Sequence, residues 1–139
     1  MNKFPGETQA VIAVLEAHLK AVATKDVTLL RASFAQKAVF IGSDDTEKWS
    51  LHELARLLRN SNNGWDMQKC MQRDVQFVLP EIASFFEVIY HVKYGLFRGS
   101  GVVMKNRKGR WVIVHYVLSF SVPNDVVDKT NILELLKTV

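Results

Sequence analysis

Two runs rich in β-branched and aromatic residues, at 96–104 and 111–122, constrain the fold of this chain more than any other feature. The short polar segment 105–110 separates them, and Gly109 within it is placed for a turn. The pattern predicts a long β-hairpin. In the second run alternate positions are apolar apart from one phenol, so we expect one face of this strand to be covered by other protein. These positions are Val112, Val114, Tyr116, Leu118, Phe120 and Val122.

Length and composition favour a single domain with one core. The chain has 139 residues, of which 48% are hydrophobic, and we expect residues 1–139 to fold as one unit. The 18 basic and 14 acidic residues give a formal charge of +4, a bias too small and too dispersed to indicate a nucleic-acid partner. Cys70 is the only cysteine, so an internal disulfide and a cysteine metal cluster are excluded.

The expected location is cytoplasmic. A single cysteine is typical of a reducing compartment. Residues 1–9 lack the apolar core of a signal peptide, and no run approaches the ~18 apolar residues that would cross a bilayer. We therefore expect no membrane partner.

The first half of the chain predicts three helices and one short strand. After a leader at residues 1–8, apolar residues recur at helical spacing. Asp26 is placed to cap a short second helix. Residues 38–42 predict a brief apolar strand, and Ser50 with Glu53 has the capping-box spacing that begins a third helix.

The second half predicts strands and a closing helix. Strands at 71–79 and 82–90, separated by Pro80, precede the hairpin. Residues 126–139 predict a short amphipathic C-terminal helix, with apolar residues at Ile132, Leu135, Leu136 and Val139. Helices followed by a run of strands predict an α+β fold, with the helices gathered on one face of a bent antiparallel sheet. Such a sheet would form a cone around an apolar cavity.

Three segments carry a resemblance to a known family: AVFIGSDDTEKW at 38–49, RGSG at 98–101 and WVIVHYVLSFSVPN at 111–124. With this order of elements, the chain resembles the nuclear transport factor two-like superfamily, in particular its SnoaL-like branch. The resemblance implies a cone-shaped, cystatin-like α+β fold with the N-terminal helices on the concave side of the sheet, usually as a homodimer. Its cavity serves steroid isomerases, polyketide cyclases or dehydratases in different members, and no known chemistry in others.

The chain departs from that family at two places. Relatives often carry a Trp-Phe-Asp-Glu-type run before the hairpin, where this chain has Ser-Phe-Phe-Glu at 84–87. A Tyr-His-Leu-type run on the last strand is Tyr-Val-Leu at 116–118. Phe86 and Val117 therefore stand where polar groups would be expected, which favours an apolar pocket over carboxylate and imidazole chemistry.

Glu87 is the first candidate catalytic residue. Burial in its apolar run would raise its pKa toward the range of a general base. The alternative is a structural role at the rim of the sheet, or in an ion pair with Arg98 of the neighbouring strand. Because side chains alternate along a strand, Glu87 points away from Phe86, and which side lines the cavity stays open.

His115 is the second candidate catalytic residue. It could move a proton or donate a hydrogen bond to a ligand carbonyl. Tyr116 beside it could donate to a developing oxyanion. The alternatives are a structural histidine with its hydrogen bonds satisfied, and an ordinary core or interface tyrosine.

Five residues are candidates for the lining of a pocket: Trp49, Phe86, Arg98, Tyr116 and Val117. Trp65 and Trp111 could add aromatic walls to such a pocket. Each tryptophan could equally fill the core.

The sequence predicts neither a metal site nor a cofactor. The acidic cluster at 44–47 lacks the ligand spacing of a calcium loop, and His18, His52 and His91 do not form a metal-binding pair. No glycine-rich nucleotide motif is present. Gly99 and Gly101 are typical of a bulge or tight bend within a strand.

Three functions remain open. The first is binding of a small apolar or aromatic molecule in the cone. The second is an enolisation-type enzyme (an isomerase, cyclase or dehydratase acting on a ketosteroid- or polyketide-like substrate), with Glu87 or an acidic loop residue as base and His115 or Tyr116 as donor. The third is a dimerisation or interaction module whose cavity is filled by its own side chains. A homodimer is expected in any case, because strand 82–90 is apolar on both faces and the helices can cover only one.

Overall fold

The computed structural model describes residues 5–62 and 68–129, together with residues 134 and 137. The helices are α1 Pro5–Thr24, α2 Val27–Ser33, α3 Leu51–Asn60 and α4 Asn124–Lys129. The strands are β1 Phe34–Ile41, β2 Lys48–Ser50, β3 Gln68–Leu79, β4 Ile82–His91, β5 Gly95–Lys105 and β6 Trp111–Phe120. Trp65 and the apolar residues predicted for the closing helix, Ile132, Leu135, Leu136 and Val139, lie outside the described residues.

The helix starts follow from local capping. Asp26 accepts a hydrogen bond from the Leu29 N–H at 3.0 Å and so begins α2, as predicted. Ser50 and Glu53 form the predicted capping box at the start of α3. α1 begins at Pro5, inside the segment that the sequence assigned to a leader, because proline is well suited to the first turn of a helix.

The six strands form one curved sheet in the order β2-β1-β6-β5-β4-β3. β5 and β6 form the predicted hairpin, with Gly109 in the turn at a φ of +77°. The sheet is antiparallel except between β1 and β6, which run parallel. No short turn joins that pair, so hairpin geometry does not impose an antiparallel arrangement on it. β1 extends to Phe34, four residues before the strand predicted at 38–42.

The helices give the sheet two different faces. The inner face carries the buried side chains that pack with α1, α2 and α3 into the main core. The outer face carries half-buried and exposed side chains of β4, β5 and β6. The chain is therefore an α+β protein with its first three helices on one side of the sheet, as expected. No helix among the described residues is long and apolar enough to span a bilayer.

A β-bulge in β6 overturns the predicted alternation of this strand. Ile113 pairs with Val103 and His115 pairs with Val102, so Val114 is an extra residue. Before the bulge the odd positions face the core, and beyond it Tyr116 does. The expectation that all even positions share the covered face is therefore wrong for Val112 and Val114.

Candidate functional site

A buried carboxylate–guanidinium pair lies in the middle of the inner face. Glu87 on β4 is directly opposite Arg73 on β3. The Glu87 side chain is 0% exposed. Its Oε2 accepts hydrogen bonds from Arg73 Nε at 2.9 Å and Arg73 Nη2 at 2.6 Å. Gly99 and Leu118 continue this row across β5 and β6 as cross-strand neighbours. We name the four residues the polar row, after the ion pair that it contains.

Tyr116 donates a third hydrogen bond to Glu87. Its hydroxyl donates to Glu87 Oε1 at 3.1 Å, so both carboxylate oxygens have donors. The phenol reaches Glu87 by lying across Gly99, where a Cβ would overlap the tyrosine hydroxyl. The bulge at Val114 turns Tyr116 toward this face, and Gly99 leaves room for it.

Burial controls the electrostatics of this group. Desolvation raises the pKa of Glu87, and the positive charge of Arg73 and the bond from Tyr116 oppose that rise. Burial also raises the pKa of Tyr116 well above its ordinary value, with the Glu87 charge acting in the same direction. Tyr116 is therefore a neutral hydrogen-bond donor at physiological pH.

Arg73 connects the buried carboxylate to the surface. Its Nη1 donates to Glu16 Oε1 of α1 at 2.6 Å. The Arg73 side chain is 11% exposed, whereas that of Glu16 is 57% exposed. One guanidinium thus holds a buried carboxylate on one side and a solvent-exposed carboxylate on the other.

His18 is a second buried titratable group on this face. Its ring lies 4.7 Å from the Tyr116 ring and 5.2 Å from Phe34, measured between centroids. Desolvation lowers its pKa to about 3, so the imidazole is neutral. Its Nδ1 is buried and has no hydrogen-bond partner in the described part of the chain.

The next row of the inner face is apolar and opens to solvent at one end. We call Cys70, Ile89, Phe97 and Phe120, which are cross-strand neighbours, the aromatic row. Leu19 of α1 packs on Ile89 and Phe97. Phe120 is 50% exposed although its ring lies 4.5 Å from the Phe97 ring, and Tyr94 borders the same cluster. An apolar wall with one half-open end thus adjoins the polar row.

The two predicted catalytic residues lie on opposite faces. Glu87 is on the inner face, whereas the bulge places His115 on the outer face beside Val102. The geometry therefore does not bring Glu87 and His115 into one site. The alternative ion pair of Glu87 with Arg98 is also wrong, because Arg98 pairs with Val88 on the outer face.

The predicted pocket residues are divided in the same way. Phe86, Arg98 and Val117 belong to the outer face, where Phe86 and Val117 flank Ser100 from the two neighbouring strands. Tyr116 belongs to the inner face.

Trp49 stacks on Phe40 at 5.9 Å and lies between two open grooves of about 320 Å³ each, which share Trp49 and Glu53 in their walls.

Neither Arg73 nor His18 was predicted from the sequence to belong to this buried group. Arg73 is two residues before Val75 and four before Phe77, so it falls on the apolar side of a predicted strand. His18 follows Leu15 by three residues and precedes Val22 by four, on the apolar side of the first helix. In both cases a polar residue within an apolar stripe was the available signal. No group of three or more metal-ligating side chains occurs among the residues described.

Comparisons with known proteins agree with this architecture. A family model described as a SnoaL-like domain matches residues 11–123. None of the curated proteins compared with the chain matches it.

Three solved structures illustrate the likeness. A nuclear transport factor two-like protein of unknown function from Shewanella baltica OS155 is 17% identical, with a TM-score of 0.72 over 88% of this chain and 100% of that one. The association domain of C. elegans CaMKII is 18% identical, with a TM-score of 0.67 over 84% of this chain and 97% of that one. A protein of Shewanella frigidimarina NCIMB 400, proposed to be a ketosteroid isomerase, is 14% identical, with a TM-score of 0.63 over 79% of this chain and 94% of that one. At identities this low the likeness establishes the fold alone.

Proposed function

The chain belongs to the SnoaL-like domain family, and we propose that it binds a small apolar or aromatic molecule on the inner face of its sheet. The observation that carries this proposal is the position of the aromatic row beside the polar row. Small-molecule sites are mostly apolar walls with a few polar groups that orient the ligand. Here Phe97 and Phe120 would supply the wall, and Arg73, which Glu87 holds in place, the polar group.

Enolisation chemistry has less support from the geometry. A general base must reach the substrate, but the Glu87 carboxylate is fully buried, and the hydrogen bonds from Arg73 and Tyr116 occupy three of its roughly four lone-pair sites. The Tyr116 hydroxyl donates to Glu87, so it is not free to donate to a developing oxyanion. Binding without turnover is therefore the function that we propose.

Titration with an aromatic probe tests this function. We expect 1-naphthol to shift the backbone amide resonances of the aromatic row in ¹H–¹⁵N spectra. Phe120→Ser should weaken this binding, because Phe120 is half exposed at the open end of the row. Tyr90→Ser is the matched control, since Tyr90 is a similarly exposed aromatic residue, 43% against 50%, on the outer face.

Equal effects of the two substitutions would contradict the proposed location. The absence of any shift at saturating probe would contradict the function itself.

We further propose that two copies associate through the outer face. This face has no layer from α1, α2 or α3, and it presents half-buried apolar side chains from three adjacent strands. They include Ile82, Phe86, Val88, Val102, Val112, Val114 and Val117. Its border on β3 is polar, with Gln72, Asp74 and Gln76 opposite β4 residues of this face. An apolar centre with a polar rim is the usual anatomy of a protein interface. The CaMKII neighbour is itself an association domain.

Light scattering tests the association. We expect about twice the chain mass of 15.8 kDa at low micromolar concentration. Phe86→Arg, at the centre of the face, should give a monomer, and Gln76→Arg, on the polar rim, should leave the dimer intact. A monomeric unmodified chain would rule out the homodimer.

A further inference from the structure

Arg73 has more hydrogen-bonding capacity than its two carboxylates use. A guanidinium carries five N–H donors. Nε and Nη2 each donate to Glu87 Oε2 and Nη1 donates to Glu16 Oε1, which leaves two N–H groups without a bond among the described residues. The two free donors belong to Nη1 and Nη2, the pair of nitrogens that faces a carboxylate in a two-point contact.

The two carboxylates on Arg73 are held very differently. Glu87 is fully buried, and losing Arg73 would leave its charge uncompensated. Glu16 is more than half exposed, and pairs of that kind contribute little to stability because solvent screens them and the long side chains lose freedom. Glu16 can therefore be displaced without disturbing the buried pair.

The buried pair also orients Arg73 in advance. Two N–H bonds to one oxygen of Glu87 fix the plane of the guanidinium, so a ligand would not bear the entropy cost of ordering it. The aromatic row lies next to the polar row on the inner face, where Cys70 of β3 is opposite Ile89 of β4. A molecule with an anionic head at Arg73 and an apolar body along that row would match both features.

We infer that the ligand is a small monocarboxylate with an apolar or aromatic body, whose carboxylate replaces Glu16 on Arg73. This inference rests on the proposed function and specifies the ligand class of the same site. Glu16 then acts as an internal substitute for the ligand carboxylate and occupies Nη1 while the site is empty.

The test compares benzoate with benzamide, which has a similar shape but no charge. Titrations followed by ¹H–¹⁵N spectra should give at least about tenfold tighter binding for benzoate, since charge-assisted two-point bonds to arginine are the stronger kind. Glu16→Gln should tighten benzoate binding about fivefold, because it removes a competing anion whose ion pair is weak. Benzamide binding should not change.

Glu7→Gln is the matched control. It removes the same charge from the same helix, but Glu7 contacts Lys105 and Trp111 instead of Arg73, so benzoate affinity should stay at the unmodified value. The double variant Arg73→Met with Glu87→Gln removes the whole charge pair and should abolish the preference for benzoate over benzamide.

The outcomes separate this inference from the function on which it rests. If benzoate and benzamide bind equally, or if Glu16→Gln has no more effect than Glu7→Gln, the carboxylate inference is overturned while aromatic binding stands. If benzoate, benzamide and 1-naphthol all fail to bind, the proposed function fails as well.

Discussion

Replacing Arg73 by methionine tests the electrostatic centre of the inner face. The substitution keeps a long side chain on β3 but removes the three hydrogen bonds that the guanidinium donates, two of them to Glu87. Glu87 remains fully buried, with only the Tyr116 hydroxyl as a donor. Breaking a buried ion pair by removing one partner typically costs 3–5 kcal/mol. The loss is a large share of the roughly 5–15 kcal/mol by which domains are stable.

This cost should depend on pH in a defined direction. Burial raises the pKa of Glu87 in the folded protein, so the folded state binds the proton more readily than the unfolded state. Stability therefore falls as pH rises from the unfolded pKa through the folded pKa. Without Arg73 the folded pKa rises further, because the charge that opposes the desolvation is gone. We expect the largest penalty near pH 8 and a smaller one near pH 5.

Urea unfolding at pH 5 and pH 8 measures both effects. A loss of about 4 kcal/mol would move the midpoint by about 2 M for a domain of this size. The Arg73→Met, Glu87→Gln double variant should recover much of the stability and lose the added pH dependence, because no buried charge remains. A penalty below about 1 kcal/mol, or one that is the same at both pH values, would show that Arg73 does not hold an ionised Glu87.

Three further substitutions test other parts of the fold. His18→Phe should remove the loss of stability that occurs as pH falls from 6.5 to 3. Because the pKa of His18 is about 3 in the folded protein and about 6.5 in the unfolded chain, protonation of the unfolded chain lowers the free energy of unfolding by about 2 kcal/mol at pH 5. Urea unfolding at pH 5 and 7 measures this difference. Gly99→Ala should lower the free energy of unfolding by about 3 kcal/mol, because the added Cβ would displace the Tyr116 hydroxyl. In a double-mutant cycle, Tyr116→Phe should recover part of the lost stability, since it removes that hydroxyl. Ser50→Ala should cost about 1 kcal/mol through the lost cap of α3, detected by thermal unfolding.

The sequence predicted the local elements of the fold well because their signals are local. Asp26 and the pair of Ser50 with Glu53 mark helix starts through contacts only three residues apart. The hairpin follows from two β-rich runs around a turn that needs Gly109. The parallel pairing of β1 with β6 could not be read in this way, since it joins segments far apart in the chain.

The candidate site was predicted only in part. Glu87 was identified as a candidate buried carboxylate, and one alternative paired it with Arg98 of the following strand, whereas its partner is Arg73 of the preceding strand. Strict alternation within β4 shows that Glu87 and Phe86 point to opposite faces, but it does not show which face the helices cover. That assignment depends on tertiary packing, as does the depth at which Arg73 is buried.

The bulge residue Val114 determines whether His115 or Tyr116 lies on the inner face. Without the bulge at Val114, alternation from Trp111 and Ile113 would carry His115 to the inner face and turn Tyr116 outward. Glu87 would then face an imidazole, the arrangement suited to proton transfer. With the bulge, Glu87 meets a phenol of raised pKa that donates a hydrogen bond and keeps its proton. The position of the bulge therefore favours a binding site over an acid–base site, and it leaves His115 on the face proposed for association.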